Sequence, residues 1–192
     1  MPNLIDTDSR AGTLVRAVND ILIESGPAGL TIRHISHVSG VSPSSIYGQM
    51  GSREHLLRVA AGWTGRARID SLRLETSTDG VLAFVPRHEE EILQARSWLG
   101  WLEMWRSEDF LERWISESRD SELGLLAKVT DYQLQRQGLD ALLALIDGLR
   151  IAVCAPSQPM RTDQARDILD AACHTWLASR VSPAQPPSRR TA

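Results

Sequence analysis

Four of the chain's six tryptophans fall in one short stretch: Trp98, Trp101 and Trp105 at spacing i, i+3, i+7, then Trp114. At helical period the first three share a face with Leu102, and Glu91 and Gln94 extend that stripe toward its N-terminus. Indole faces do two things at such a spacing. They pack as an aromatic core stripe, or they wall a cavity for a flat aromatic or cationic ligand, where a cation over indole gains about 0.5–2 kcal/mol. Both uses stand on the residues alone. Glu91 could neutralise a bound cation. With Glu89 and Glu90 it also suits a helix start, where the macrodipole favours acids.

A second group has different chemistry. Ser42-Pro43-Ser44-Ser45-Ile46-Tyr47-Gly48-Gln49-Met50 places Ile46 and Met50 one turn apart, which leaves Ser44, Ser45, Tyr47, Gly48 and Gln49 on the opposite side. Small and polar side chains on one helix face let it enter the major groove and meet base edges. Charge agrees locally. The chain carries a formal net charge of −3, yet between Gly26 and Arg73 six arginines stand against two acids. An acidic protein with a basic face still attracts phosphate there.

Enzyme chemistry finds no support. Five histidines are scattered without a serine, cysteine or paired carboxylate in any recognisable arrangement, and no glycine-rich phosphate loop occurs. His34 and His37 are three apart but have no evident third ligand, so no metal site and no cofactor is expected. Cys154 and Cys173 lack zinc-site spacing and read as buried thiols of a reducing compartment.

The elements that position these groups are all helical. Apolar residues recur every three or four positions and alternating strand patterns are missing. Ser9 to Glu24 forms a first amphipathic helix, stopped by Gly26-Pro27-Ala28-Gly29. Thr31 caps a short helix bearing Ile32, Ile35 and Val38. Gly40 closes it, and Ser42 with Pro43 opens the next. Ser52 caps a long helix to about Glu75, and Thr76 to Gly80 reads as a hinge. Helices are then expected near Val81–Pro86, over His88–Arg106, over Asp109–Arg136, over Leu139–Ala155 and from a Thr162 cap to about Arg180. The expectation is an all-α fold of about nine helices. An N-terminal helix-turn-helix domain (8–57) is joined by its long fourth helix to a helical ligand-binding and dimerisation domain (58–180), followed by a disordered tail (181–192).

The run Gly29 to Leu57 resembles the N-terminal domain of the TetR family of repressors. The agreement lies in Leu30-Thr31, the Gly40-Val41-Ser42 turn, Tyr47 closing the recognition helix, and Ser52-Arg53-Glu54 before Leu56-Leu57. The resemblance implies that Thr31, Ser42 and Tyr47 hold phosphates through hydroxyls, joined by the amides above Ser52 and by Arg53. It further implies that Arg33 reaches a guanine edge, with Ser44, Ser45 and Gln49 as further base readers and Pro43 against a thymine methyl. Capping alone would also explain Thr31, Ser42 and Ser52. Tyr47 could pack on the first helix, and Arg33 could be a solvated arginine. Gly48 departs from the pattern, where a larger side chain is usual; glycine there weakens the helix by about 1 kcal/mol.

Ala95–Arg106 and Leu145–Leu149 resemble the C-terminal domain of a TetR branch that includes choline-responsive repressors. This implies pocket helices in the middle of the chain and two final helices that pair with a second subunit. The residues agree in part. Leu139–Val153 is apolar around most of its circumference and needs cover on more than one side. Leu142, Ile146 and Leu149, with Ile168, Ala172 and Trp176 of the last helix, are the candidate dimer contacts; a monomeric core is the competing use. The partners expected are therefore an operator in double-stranded DNA, a small apolar, aromatic or cationic effector, and a second copy of the chain. With no span of about 20 apolar residues, no membrane partner and a cytoplasmic location are expected.

Overall fold

The computed structural model describes residues 10–105, 108–131 and 133–178. Among them are eight α-helices and no strand: α1 (Arg10–Ser25), α2 (Ile32–Ser39), α3 (Pro43–Met50), α4 (Arg53–Asp79), α5 (Glu89–Met104), α6 (Glu112–Val129), α7 (Arg136–Cys154) and α8 (Thr162–Ala178). Short 3-10 turns lie at Pro27–Gly29, Gly80–Phe84 and Asp109–Leu111. The expected tail, 181–192, lies outside the described residues.

The starts of α2, α3 and α4 form as expected because each cap is local. The hydroxyls of Thr31, Ser42 and Ser52 accept the backbone N–H three residues on, from His34, Ser45 and His55. Gly40, at φ +70°, supplies the left-handed turn between α2 and α3.

Three expectations change. The hinge at Thr76–Gly80 is helix through Asp79, because the hydroxyls of Thr76 and Ser77 bond back to the carbonyls of Arg73 and Leu74. The helix ends at Gly80, whose φ is +58°. The short helix expected near Val81–Pro86 is the 3-10 turn Gly80–Phe84. The long helix expected over Asp109–Arg136 is confined to α6. Thr130 folds its hydroxyl onto the Leu126 carbonyl, and Asp131 takes a left-handed φ of +50°.

Two cores result. The first gathers Leu14, Val18 and Ile21 of α1, Ile35, Ile46, Leu56 and Leu57, and also takes Trp101, Met104, Leu111 and Ile115 from farther along the chain. This core crosses the boundary expected at residue 57. Gly100 makes the crossing close, since a Cβ there would stand 3.2 Å from a Leu22 methyl. The second core joins Ile69 and Leu72 of α4, Phe84, Leu123, Leu126, the buried face of α7, and Ala165 and Leu169 of α8. Each fully buried leucine or phenylalanine in these clusters stabilises by about 1.5–3 kcal/mol.

Candidate nucleic-acid interface and effector cavity

On the helix-turn-helix, Ile35 and Ile46 are fully buried and fix α3 against α2 and α1, with Met50 behind them. The opposite face is open. Thr31, Arg33, Ser42, Pro43, Ser44 and Gln49 are exposed, Ser45 is half-buried, and Tyr47 is 50 % exposed. Tyr47 thus does not pack into the core of α1. Val38, expected on the inner stripe of α2, is exposed. The three serines form a hydroxyl cluster: Ser42 donates to Ser45 at 2.9 Å and stands 3.0 Å from Ser44. Around Gly48 an added Cβ would meet nothing within 4 Å.

Arg53 is partly engaged within the chain. Its Nε donates to the Leu30 carbonyl at 3.1 Å and its Nη1 to Glu108 at 2.7 Å, with 37 % of the side chain exposed. It ties the start of α4 to the strand of chain before α2. His34 Nδ1 lies 3.0 Å from the Gly29 carbonyl, His37 faces solvent, and no group of three His, Cys, Asp or Glu is placed to hold a metal among the described residues.

The tryptophans separate. Trp98 and Trp101 are wholly buried. Trp114 meets both edge-on, with ring centroids at 5.6 and 5.7 Å. Trp105, at the end of α5, is 48 % exposed and lines a surface groove of about 510 Å³ with Leu102, Ile115, Arg119 and Leu143. The packed trio is a core stripe. The cation over indole is the chain's own: the Arg68 guanidinium sits 4.2 Å from the Trp98 ring centroid. Glu91 does not face the indoles. Arg87 holds it through its backbone N–H at 2.6 Å and its Nε at 2.9 Å, and His88 stands at 3.3 Å. Partial burial would raise the Glu91 carboxyl, but the Arg87 hydrogen bonds bring it below the ordinary value.

Sequence reasoning missed the charged group beneath. Glu122 is fully buried and pairs with Arg68, and with Arg150 at 2.9 Å. Arg150 also donates to the Phe84 carbonyl at 2.9 Å and meets Asp147 at 3.3 Å, and Asp147 pairs with Arg119. Burial alone would raise the Glu122 carboxyl. The two guanidiniums overcome that and hold it at about 2. A signal existed. Glu122 falls on the stripe Ile115, Ser118, Leu126 of α6, and Arg150 on the stripe Leu142, Ile146, Val153 of α7, so each interrupts a buried face with charge. A cavity of about 40 Å³ opens beside this group, walled by Arg68, Leu72, Phe84, Gln94, Ala95 and Arg150.

Of the dimer candidates, Leu142, Ile146 and Leu149 lie in the chain's own core, at most 4 % exposed. The outer face of α7 is one position round: Ala141, Ala144, Gly148 and Ile151 are exposed, the last by 57 %. On α8, Ile168 is 37 % exposed, and Ala172 and Trp176 are half-buried. Cys154 and Cys173 are buried free thiols. No described helix is long and apolar enough to cross a membrane.

No family model and no curated protein matches the chain by sequence. Solved structures match its fold. A transcriptional regulator from Rhodococcus sp. Rha1 superposes with a TM-score of 0.79 at 17 % identity, over 91 % of this chain and all of that one. A TetR-family transcriptional regulator from Rhodococcus sp. gives 0.75 at 19 %, over 88 % of this chain and 98 % of that one. A TetR regulator from Streptomyces coelicolor gives 0.52 at 17 %, over 86 % and 97 %. The likeness runs from the helix-turn-helix into the C-terminal helices, so the chain shares the all-helical architecture of these structures. More particularly, the chain has the TetR fold.

Proposed function

We propose that the chain is a DNA-binding transcription regulator of the TetR type, a repressor that grips a palindromic operator as a homodimer in the cytoplasm and lets go when a small molecule binds its C-terminal helices. The observation that carries this reading is the α2–Gly40–α3 unit, which buries Ile35 and Ile46 and turns Arg33, Ser44, Tyr47 and Gln49 outward. The caps at Thr31, Ser42 and Ser52 open three helix N-termini, where backbone N–H groups and the positive end of the dipole favour phosphate. Arg33 is the candidate base reader, and Thr31, Ser42, Tyr47 and Arg53 are the phosphate contacts.

Dimerisation through α7 and α8 fits the exposed Ile151 and Ile168 and the small residues Ala141, Ala144, Gly148 and Ala172 around them. Two copies must place their α3 helices about 34 Å apart to meet successive major grooves. An effector acts only if it binds one spacing better than the other. Trp98 is covered by Arg68, so an apolar, aromatic or cationic effector on the indole faces would have to displace that arginine.

The test is a gel shift with DNA flanking the protein's own gene. Retardation of one palindromic fragment with steep salt dependence is expected, and Arg33→Ala should weaken it by about 1–3 kcal/mol. The bare face at Gly48 favours a second reading, a ligand-binding module of the same fold with weakened DNA binding. Absence of any retardation at low salt would select it.

A further inference from the structure

Trp105 belongs to neither core. At the end of α5 it stands 48 % exposed and lines the groove of about 510 Å³. Small-molecule pockets span about 300–1,000 Å³, so the space is of ligand size. Its floor is apolar: Ile115 and Leu123 of α6 and Leu143 of α7 are buried, and Leu102 of α5 adjoins them. α6 gives the groove its length. The lining residues of that helix run from Glu112 to Leu123 at helical spacing, about 16 Å of axis at 1.5 Å per residue.

The described rim carries more acid than base: Glu112, Asp120 and Asp140 against Arg119 and Arg136. Both arginines are taken. Arg136 holds Asp140 at 3.0 Å, and Arg119 turns to Asp147 and Glu122, neither of which lines the groove. The buried group behind does not reverse the sign. With Arg68, Arg150, Glu122 and Asp147 included, four arginines face five acids. Among the described residues Glu112 and Asp120 form no ion pair. Glu112 opens α6, where the helix dipole favours an acid. Asp120, two turns on, has no such support.

We propose that this groove binds an organic cation with an elongated apolar body, an arylalkylamine in its ammonium form. The ammonium pairs with Asp120, and the body covers the open indole of Trp105 and the Ile115–Leu123–Leu143 floor. Charge selects the class. An anion would face the surplus of acid, and a neutral body of the same shape would gain the apolar floor but leave Asp120 unpaired. A cation near an exposed indole is attracted by the ring as well. Bound there, the amine is the effector of the regulator, a role that rests on the function proposed above; the binding itself does not. The groove is reached without displacing Arg68 from Trp98, which does not line it.

Calorimetric titration of the full chain tests the site with three probes of one shape at constant ionic strength: 2-(1-naphthyl)ethylammonium, neutral 2-(1-naphthyl)ethanol and anionic 1-naphthaleneacetate. Saturable binding of the ammonium is expected, at least fivefold tighter than either of the others. Asp120 is exposed, so Asp120→Asn should leave Tm unchanged and bring the ammonium down to the affinity of the alcohol. Trp105→Leu should weaken the ammonium and the alcohol alike, at least threefold. No binding of the ammonium overturns the proposal, as does equal binding of the alcohol or the acetate, or an undiminished preference in Asp120→Asn. A gel shift then separates the two claims. Ammonium probe that binds and releases DNA from the parent but not from Asp120→Asn supports the effector role, and probe that binds while the DNA complex persists refutes it. A chain that retards no DNA refutes the regulator, while the titration still decides the site.

Discussion

The carboxamide oxygen of Asn19 on α1 accepts the indole N–H of Trp101 on α5 at 3.3 Å, across 82 residues of sequence. The same oxygen accepts from Ser97 at 2.7 Å and from Thr64 at 3.1 Å. One side chain on the first helix therefore serves donors on α4 and α5.

Asn19→Ala should leave Ser97 and the Trp101 indole short of an acceptor, while Thr64 keeps the Ala60 carbonyl at 2.9 Å, and cost about 1–3 kcal/mol. Urea unfolding followed by tryptophan emission reads both the stability and the altered surroundings of Trp101. An unchanged midpoint would show that the hub is dispensable.

Gly65 lies flat against Trp114. A Cβ built there would stand 2.7 Å from the indole nitrogen. Gly65→Ala should force the ring to move, at about 1–3 kcal/mol. Trp114→Leu should relieve the clash, so the double variant should lose less than the two single losses together. Strict additivity would mean that the ring is not what the methyl meets.

Glu122 gives the chain an acid limit. Its carboxyl sits at about 2 in the fold, against an ordinary 4.5, because Arg68 and Arg150 outweigh the effect of burial. A carboxyl depressed by folding stabilises fully above its unfolded value and loses that contribution as pH falls through the folded one. Stability should accordingly drop between about pH 4.5 and 2, in denaturant midpoints taken across that window. Glu122→Gln should remove this part of the profile and, at neutral pH, cost about 3–5 kcal/mol by leaving buried guanidiniums unpaired. A variant as stable as the parent at pH 7 would contradict it.

Gly48→Ala should stabilise. The position is helical, exposed and open on all sides, so the methyl meets nothing while the unfolded chain loses freedom. A gain of about 0.5–1 kcal/mol is expected by thermal unfolding. A loss would mean that α3 is strained there.

What could be read from the residues was what is settled within a few positions. The caps at Thr31, Ser42 and Ser52 and the turn at Gly40 each depend on close neighbours in sequence, and α2, α3 and α4 begin where those caps stand. Thr76 and Ser77 misled because their hydroxyls, which disfavour helix when they compete for the backbone, bond back along it instead. The tryptophan stripe was visible but its use was not. Whether an indole lines a space or fills one depends on what faces it, and here that is Arg68, thirty residues away. The Arg68–Glu122–Arg150 group joins residues 54 and 28 apart, a distance at which periodicity carries no information. Leu142, Ile146 and Leu149 point inward for the same reason. A helix apolar on most sides does not declare which side its own chain will cover.

The unbroken run of α4 from Arg53 to Asp79 has a mechanical meaning. At 1.5 Å per residue its 27 residues make a rod about 40 Å long. Arg87 and Arg166 clamp its far end at Asp79, and the Arg53–Glu108 pair anchors its near end. A rod transmits tilt rather than absorbing it. If it turns by about 5° about the clamped end, the tip travels some 3–4 Å over that length, roughly a tenth of the groove repeat of about 34 Å. Leverage of that size makes a slight shift at the clamped end legible at the other extremity of the protein.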